Sequence, residues 1–431
     1  MADSNHNNQD GTGQRRSTTT KKKKKKNRGR KRVTIEQIIA LNEVYDWAFS
    51  PKQTISVSAP VPTDDGFSMT IGDKEKEKKV VFEFHSHSTC SDGYLSPSAL
   101  VDRAHRKGVK VLALTDHDTM AGVSEALEAA QRVGMRIIPG VEISTMFQHG
   151  DKSGSEEPVH ILAYYSGCGP SQSDRLEKCL SDIRDGRYHR AKSMLKKLNN
   201  LKMPLEWENV VKIAGDGVAP GRVHVARAMV NAGYVENLKE AFDRYLHDDG
   251  PAYAKGSEPP TEETVKLIQQ TGGVAVLAHP WSLNNHTAII SALKTAGIHA
   301  VEVYKNDGKM DVFSNMCDKY ELIKLGGSDY HGKNTNGEAD LGSVTLPVST
   351  VFKFLSVARP IWSNSIKDTL TNFTNEPTNA NLEKMTKFGK FKSRDKSLMD
   401  SCLCYWLSKD EITDEIKELS LKCSKILVNK N

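Results

Sequence analysis

The stretch Val80-Val81-Phe82-Glu83-Phe84-His85-Ser86-His87 drives a largely apolar run straight into two histidines placed two residues apart. In an extended segment alternate side chains share a face, so His85 and His87 point the same way. The arrangement recurs along the chain. The run at 109–114 leads to Asp116 and His117, the run at 136–139 leads to Glu142, and His160 lies inside the run at 159–163. Further on, 274–278 leads to His279, 300–303 carries Glu302, and 322–325 leads to Asp329 and His331. Short apolar runs of this length predict buried parallel strands. The segments between them, at 97–107, 120–133, 261–270 and 287–295, read as helices. Alternating strands and helices point to an α/β protein built as a β/α barrel or a related sheet.

Between Tyr165 and Gly273 the alternation stops. Helical patterns at 175–201, 205–213, 223–230 and 238–246 follow one another without a strand. That is too long for an ordinary crossover, so the interval is expected to form a helical cap subdomain inserted at about 166–273.

In parallel barrels the loops at the C-terminal ends of the strands converge on the axis, and active sites form there. Seven expected strands each bring an imidazole or a carboxylate to one rim. Any one buried histidine is more often a satisfied core residue than a ligand. Several together, with no ion, would carry uncompensated burial costs. A mixed set this large implies more than one metal, with imidazole favouring zinc, manganese or iron and carboxylate suiting harder cations.

The remainder of the 431 residues sets bounds. The formal charge is +6, but ten basic residues fall between Lys21 and Arg32, so the rest of the chain is net acidic. Residues 1–32 are polar throughout and are expected to form a disordered basic tail. Its functional reading is nuclear import through a receptor, or a nucleic-acid tether; the alternative is a solubilising tail. Residues 33–79 read as a short helix, opened by Thr34 and Gln37 as a capping box, and a polar linker. The seven cysteines are scattered and odd in number, which suits a reducing compartment. No apolar run is long enough to span a bilayer, so no membrane role is expected. The location expected is intracellular, nuclear from the tail with cytoplasm as the alternative.

The motifs as they stand resemble those of the polymerase and histidinol phosphatase (PHP) family. These are His85-Ser86-His87 with Ser91-Asp92-Gly93, then Thr115-Asp116-His117-Asp118 and Gly140-Val141-Glu142. Ala278-His279-Pro280 and Gly327-Ser328-Asp329-Tyr330-His331 follow in the family's order, and the likeness runs over about 82–364. Gly221-Arg222-Val223-His224-Val225-Ala226 is similar to a segment of the branch of bacterial nucleoside 3′,5′-bisphosphate phosphatases and RNase AM, with valine at 223 where that branch usually has proline. The resemblance implies a distorted seven-stranded β/α barrel, here at 80–364, leaving 365–431 as a C-terminal extension. Within the extension, 411–428 has an amphipathic pattern expected to pack on the barrel, with a partner-binding helix as the sharper alternative.

The resemblance also implies about three divalent ions, manganese first, with iron, zinc or magnesium as alternatives. The first position would be held by His85, His87, Glu142 and Asp329, and the second by Glu142, His160 and His279. The third would take Asp92, His117 and His331. Glu142, His117 and Asp329 are the expected catalytic residues, acting around a hydroxide that bridges metals. Asp116 either orients an imidazole or serves as a turn or cap aspartate, and Glu302 either supports a ligand or pairs with a cation.

Arg222 and His224, just after Ala219-Pro220-Gly221 where a helix should begin, are expected substrate contacts, because a guanidinium and a helix N-terminus both favour phosphate. Lys255, at the exit from the cap, is a third. The function expected is hydrolysis of nucleotide phosphate esters, by a nucleoside 3′,5′-bisphosphate phosphatase, a 5′-to-3′ exonuclease on short oligonucleotides, or both. The alternatives are a histidinol-phosphate-type phosphatase and a nucleic-acid-binding protein that uses the barrel as a scaffold.

Overall fold

In the computed structural model, which describes residues 34–49, 80–150, 155–305, 311–333, 338–388, 406–408 and 410–429, each apolar run becomes a strand. They are β1 (Val81–Glu83), β2 (Val109–Leu114), β3 (Arg136–Gln148), β4 (Glu156–Tyr164), β5 (Val274–Leu277), β6 (Ala300–Glu302) and β7 (Ile323–Leu325). They form one sheet in chain order, curled so that a bridge between Ser86 and Tyr330 joins the segments leaving β1 and β7. The basic tail at 1–32 and the polar linker at 60–79 lie outside the described residues.

One expectation fails. The run at 159–163 is not parallel: β4 is antiparallel to both β3 and β5, while the other neighbouring pairs are parallel. β3 does not stop at Pro139 but continues to Gln148, and β4 returns beside it from Gln148↔Glu156 to Gly140↔Tyr164. The reversal explains His160. A strand running the other way has its C-terminal end at the far side of the sheet, so its contribution to the rim must come from within the strand.

The helices are α1 (Ile35–Ala48), α2 (Pro97–Arg106), α3 (Val123–Val133), α4 (Ser173–Asn200), α5 (Trp207–Ala214), α6 (Arg222–Asn231) and α7 (Leu238–Ala241). After them come α8 (Thr261–Gln270), α9 (His286–Ala296), α10 (Asp311–Tyr320), α11 (Val348–Asn375), α12 (Asn379–Thr386) and α13 (Asp414–Asn429). Strand alternation sorts the core into two layers. Leu112, Leu114, Ile161, Ala275 and Leu277 face outward onto α2, α3, α8 and α9, while Val111, Ala113, Leu162, Val274 and Val276 face the other way. Inside the curl lies α11. The Phe354 ring meets Phe84 from the end of β1 at 5.1 Å and Tyr164 from β4 at 5.8 Å.

The boundary expected near 364 therefore falls in the middle of α11, whose second half buries Ile366, Leu370 and Phe373 in the same core. α1 and α13 both contribute to that core, through Val44 and Trp47 and through Ile416 and Cys423. α1 does start with the capping box, Thr34 Oγ1 accepting from the Gln37 amide and Gln37 Oε1 from the Thr34 amide.

The cap has its own core of Met194, Leu198, Val210, Val225, Met229 and Leu246 with their neighbours. α4 joins the two cores. Its first half packs Leu176, Leu180 and Ile183 on the barrel layer, and its second half packs Ala191, Met194 and Leu198 in the cap.

Candidate metal centre and phosphate pocket

β1, β2, β5, β6 and β7 end at one rim, and there, with Glu142 from within β3 and His160 from within β4, the sheet delivers its polar side chains to a common point. Around it Nε2 of His85 lies 3.1 Å from Nε2 of His87, 3.1 Å from Oε2 of Glu142 and 3.3 Å from Oδ1 of Asp329. Nε2 of His87 is 3.1 Å from the same two carboxylate oxygens. Four donors around an ion at about 2.0 Å stand roughly 3.3 Å from one another, so this set has the spacing of a single first-row coordination shell.

The other oxygen of Glu142 faces a second set. Oε1 lies 3.0 Å from Nδ1 of His160 and 2.9 Å from Nε2 of His279, and those two ring nitrogens are 3.2 Å apart. A third group comprises His87, Asp92, His117 and His331. Here Oδ1 of Asp92 is 3.2 Å from Nε2 of His331 and 4.0 Å from Nε2 of His117. Three clusters of metal-type donors thus meet, with Glu142 facing two of them, and the nine residues expected as ligands are all present.

The clusters fit cations. Nδ1 of His87, Oδ1 of Asp92 and Nδ1 of His117 are buried and make no well-aligned hydrogen bond among the described residues, facing other metal-type donors at 3.2–3.9 Å instead. Buried polar atoms are otherwise nearly always satisfied. His279 and Asp329 hold backbone φ of +28° and +52°, as does Asp118 at +53°. Such conformations cost non-glycine residues about 1–3 kcal/mol each and cluster where function fixes a side chain.

Charge in the site is strongly coupled. Burial pulls the His85 imidazole toward neutrality, but the carboxylates of Glu302, Glu142 and Asp329 outweigh it and hold its pKa well above the ordinary value. For His87 burial is opposed by hydrogen bonds to Asp329 and Glu142, which raise it to about 10. Burial would raise Glu142, yet His117, His85 and His160 hold it well below the usual carboxylate range. His117 goes the other way, driven down mainly by burial, which leaves a neutral ring able to ligate.

Glu302 supports a ligand: it faces Nδ1 of His85 at 3.1 Å and accepts from the His279 amide at 2.8 Å. Asp116 does not orient an imidazole. It accepts from the Ser88 amide and from the Ser88 and Ser91 hydroxyls at 2.6–2.7 Å, bracing the turn that carries Asp92.

A cleft leads from Asp92, His117 and His160 into the cap. Arg222 lines it from the first turn of α6, with Nη1 on Oδ1 of Asp248 at 2.7 Å. His224 lines it too. Its Nδ1 accepts from the Gly221 amide at 3.0 Å, which puts the proton of the neutral ring on Nε2, and burial lowers its pKa to about 4. Nε2 is buried without a partner among the described residues. Lys255 stands apart. It is ion-paired with Glu156, is 65% exposed and does not line the cleft.

The cationic wall that the sequence did not single out is Arg184, Arg187 and Arg190, three residues apart on α4 where it passes from barrel to cap. Arg187 is the most tightly held. Its Nε and Nη2 donate to Oδ2 of Asp118 and its Nη2 to Oγ of Ser144, at 2.6–2.7 Å. The available signal was Asp118 closing the Thr115–Asp118 motif, a buried carboxylate in need of a cation.

Comparison with known proteins agrees with this geometry. The PHP domain model matches residues 83–247. A 3′,5′-nucleoside bisphosphate phosphatase from Chromobacterium violaceum is 31% identical over 288 residues, covering 65% of this chain and 94% of the relative. A 5′-3′ exoribonuclease from Haemophilus influenzae is 31% identical over 283 residues, covering 62% of this chain and 97% of the relative. A solved amidohydrolase structure from C. violaceum with bound sulfate and no metal superposes with a TM-score of 0.55 at 30% identity, covering 62% of this chain and 93% of that one. With its donors in place and nearly the whole length of these relatives matched, the chain belongs to the PHP domain family and has the metal clusters of a metal-dependent phosphoesterase.

Proposed function

We propose that the protein hydrolyses phosphate esters of nucleotides that carry a second, uncleaved phosphate, as a nucleoside 3′,5′-bisphosphate phosphatase, as a 5′-to-3′ exonuclease on short oligonucleotides, or as both. The observation that carries this reading is the cleft itself, with metal-type donors at one end and Arg187, Arg190 and Arg222 along it. Such a site receives one anionic group at the ions and another at the arginines. The relatives named above act on substrates of that kind, and a sulfate occupies the solved C. violaceum structure.

Three divalent ions are proposed, manganese first. The first is held by His85, His87, Glu142 and Asp329, the second by Glu142, His160 and His279, and the third by Asp92, His117 and His331. When bound, such ions lower the pKa of coordinated water and neutralise charge on the phosphoryl oxygens. Glu142 would set the spacing of the first two positions, since one of its oxygens faces His85 and His87 and the other His160 and His279. Asp329 completes the first and His117 serves the third as a neutral imidazole. Arg187, on its Asp118 and Ser144 anchors, and Arg222 hold the second phosphate, and Nε2 of His224 donates to it.

Among the described residues no helix is long and apolar enough to cross a membrane. The basic run from Lys21 to Arg32 is proposed to serve nuclear import or to tether the enzyme to nucleic acid.

Rates on adenosine 3′,5′-bisphosphate, on short 5′-phosphorylated oligonucleotides and on histidinol phosphate, measured with manganese-loaded protein, test the reading. The first two should be turned over far faster than the third. Preference for histidinol phosphate would overturn it.

A further inference from the structure

The three ligand positions are not supported alike. His85 and His279 are held by Glu302 from within the barrel, whereas Asp92 sits on a turn that the barrel and the cap hold together. Asp116 grips that turn at Ser88 and Ser91, and the Gly93 and Ser91 amides both donate to the Ser88 carbonyl oxygen. The turn is tight. A Cβ at Gly93 would stand 2.5 Å from the His87 carbonyl oxygen, so the chain passes against the backbone of another ligand residue.

Beyond Gly93 the Tyr94 amide donates to the His331 carbonyl oxygen at 2.8 Å, and the cap adds a hold of its own. Nη2 of Arg227, on α6, donates to the carbonyl oxygen of Asp92 at 2.8 Å, and the same guanidinium lies over the Tyr94 ring at 4.1 Å. Arg227 thereby grasps residues 92 and 94 on both flanks of Gly93. Its own place is set by the cap core, since its neighbours Val225, Ala226, Ala228 and Met229 are buried there. Arg227 reaches the ligand's backbone rather than its carboxylate and does not line the cleft, so it touches neither substrate nor donor atoms.

We propose that Arg227 is a positioning residue that makes the third cation site depend on the folded cap. Through the Asp92 carbonyl and Tyr94 it fixes where the Asp92 carboxylate meets His331 and His117. This rests on the three-ion reading above. It predicts that the third ion is the one whose affinity responds to α6, while the two positions sharing Glu142 do not. Partners that hold a ligand residue from outside the coordination shell typically change metal affinity by about 10–100-fold.

The test is a manganese titration of the metal-stripped full chain, following free Mn²⁺ by its electron paramagnetic resonance signal. Wild type should bind three ions, and Arg227→Ala should weaken one of them by about 10–100-fold and spare the other two. Arg227→Lys keeps a donor for the carbonyl and should recover part of the loss. Tyr94→Leu, at a side chain 46% exposed, should shift the same class by less. Turnover by Arg227→Ala should return toward wild type at saturating manganese, with KM for the nucleotide unchanged. An unchanged third affinity in Arg227→Ala, or an equal weakening of all three, overturns the proposal. Wild type binding fewer than three ions would instead overturn the three-ion reading, so the two failures are distinguishable.

Discussion

Oε2 of Glu142 lies 3.1 Å from Nε2 of His85, and both side chains are shut off from solvent. Glu142 is a bridging group, with its other oxygen turned to His160 and His279. Glu142→Gln keeps the shape and removes the charge that two cations would share. Outer partners of metal ligands already cost about 10–100-fold, so this substitution should lower turnover by at least about a hundredfold and release metal from both positions. Elemental analysis and activity on one preparation check it. Near-normal metal content with normal rate would mean the site is elsewhere.

Metal uptake should release protons. With no ion bound, His85 and His87 carry raised pKa values, the latter about 10, and must become neutral to ligate. Affinity should therefore rise with pH, and calorimetric titrations in buffers of different ionisation enthalpy should show net proton release near neutrality. The sign for folding is opposite. A histidine raised in the folded state stabilises fully below its unfolded pKa near 6.5 and loses that contribution as pH climbs through about 10. Metal-free protein should thus unfold at lower urea near pH 10 than near pH 6.5. Bound ions should remove most of that difference.

The position of α11 predicts a stability effect. Phe354 is fully buried and touches Phe84, Tyr164 and Trp362, so Phe354→Ala opens a cavity where the sheet curls around the helix. A loss of about 3–5 kcal/mol is expected, read from urea unfolding of metal-loaded protein. Truncation after residue 364 should be worse, because Leu370 and Phe373 leave the core together with the surface that holds α13. A chain shortened there that folds with wild-type stability would show that the C-terminal helices are appended rather than integral.

These outcomes reflect what was legible in the chain. The clustering of imidazoles and carboxylates was, because an apolar run that leads to or carries such a side chain repeats the same physical oddity seven times. The direction of β4 was not. Buried parallel and antiparallel strands share an apolar pattern, and only the position of His160 inside its run hinted at reversal. The boundary near 364 follows where the family likeness stops, and no local pattern there says that one helix, α11, carries the core across it. Arg184, Arg187 and Arg190 carry no signal of their own in the helical pattern at 175–201, since the role of Arg187 depends on Asp118 and Ser144 arriving from distant segments.

That arginine wall gives the sharpest test of substrate class. If it binds a phosphate that is not cleaved, Arg187→Ala should cost far more for a nucleoside 3′,5′-bisphosphate than for the corresponding 3′-monophosphate. Losing a buried charge-assisted contact typically costs ~2–5 kcal/mol, on the order of a hundredfold or more in kcat/KM. Arg222→Ala should shift the ratio in the same direction but less, because Arg222 already shares its guanidinium with Asp248. Lys255→Ala, at a side chain paired with Glu156 outside the cleft, should leave the ratio unchanged. The comparison is internal, since a general folding defect lowers both substrates together. Removing Arg187 also leaves Asp118 without its cation, so Arg187→Lys is the control for that loss; it should hold the fold while recovering only part of the ratio, a point charge lacking the planar fork that reaches Asp118, Ser144 and phosphate at once. An unchanged ratio in both Arg187→Ala and Arg222→Ala would remove the second-phosphate site and move a monophosphate such as histidinol phosphate to the front.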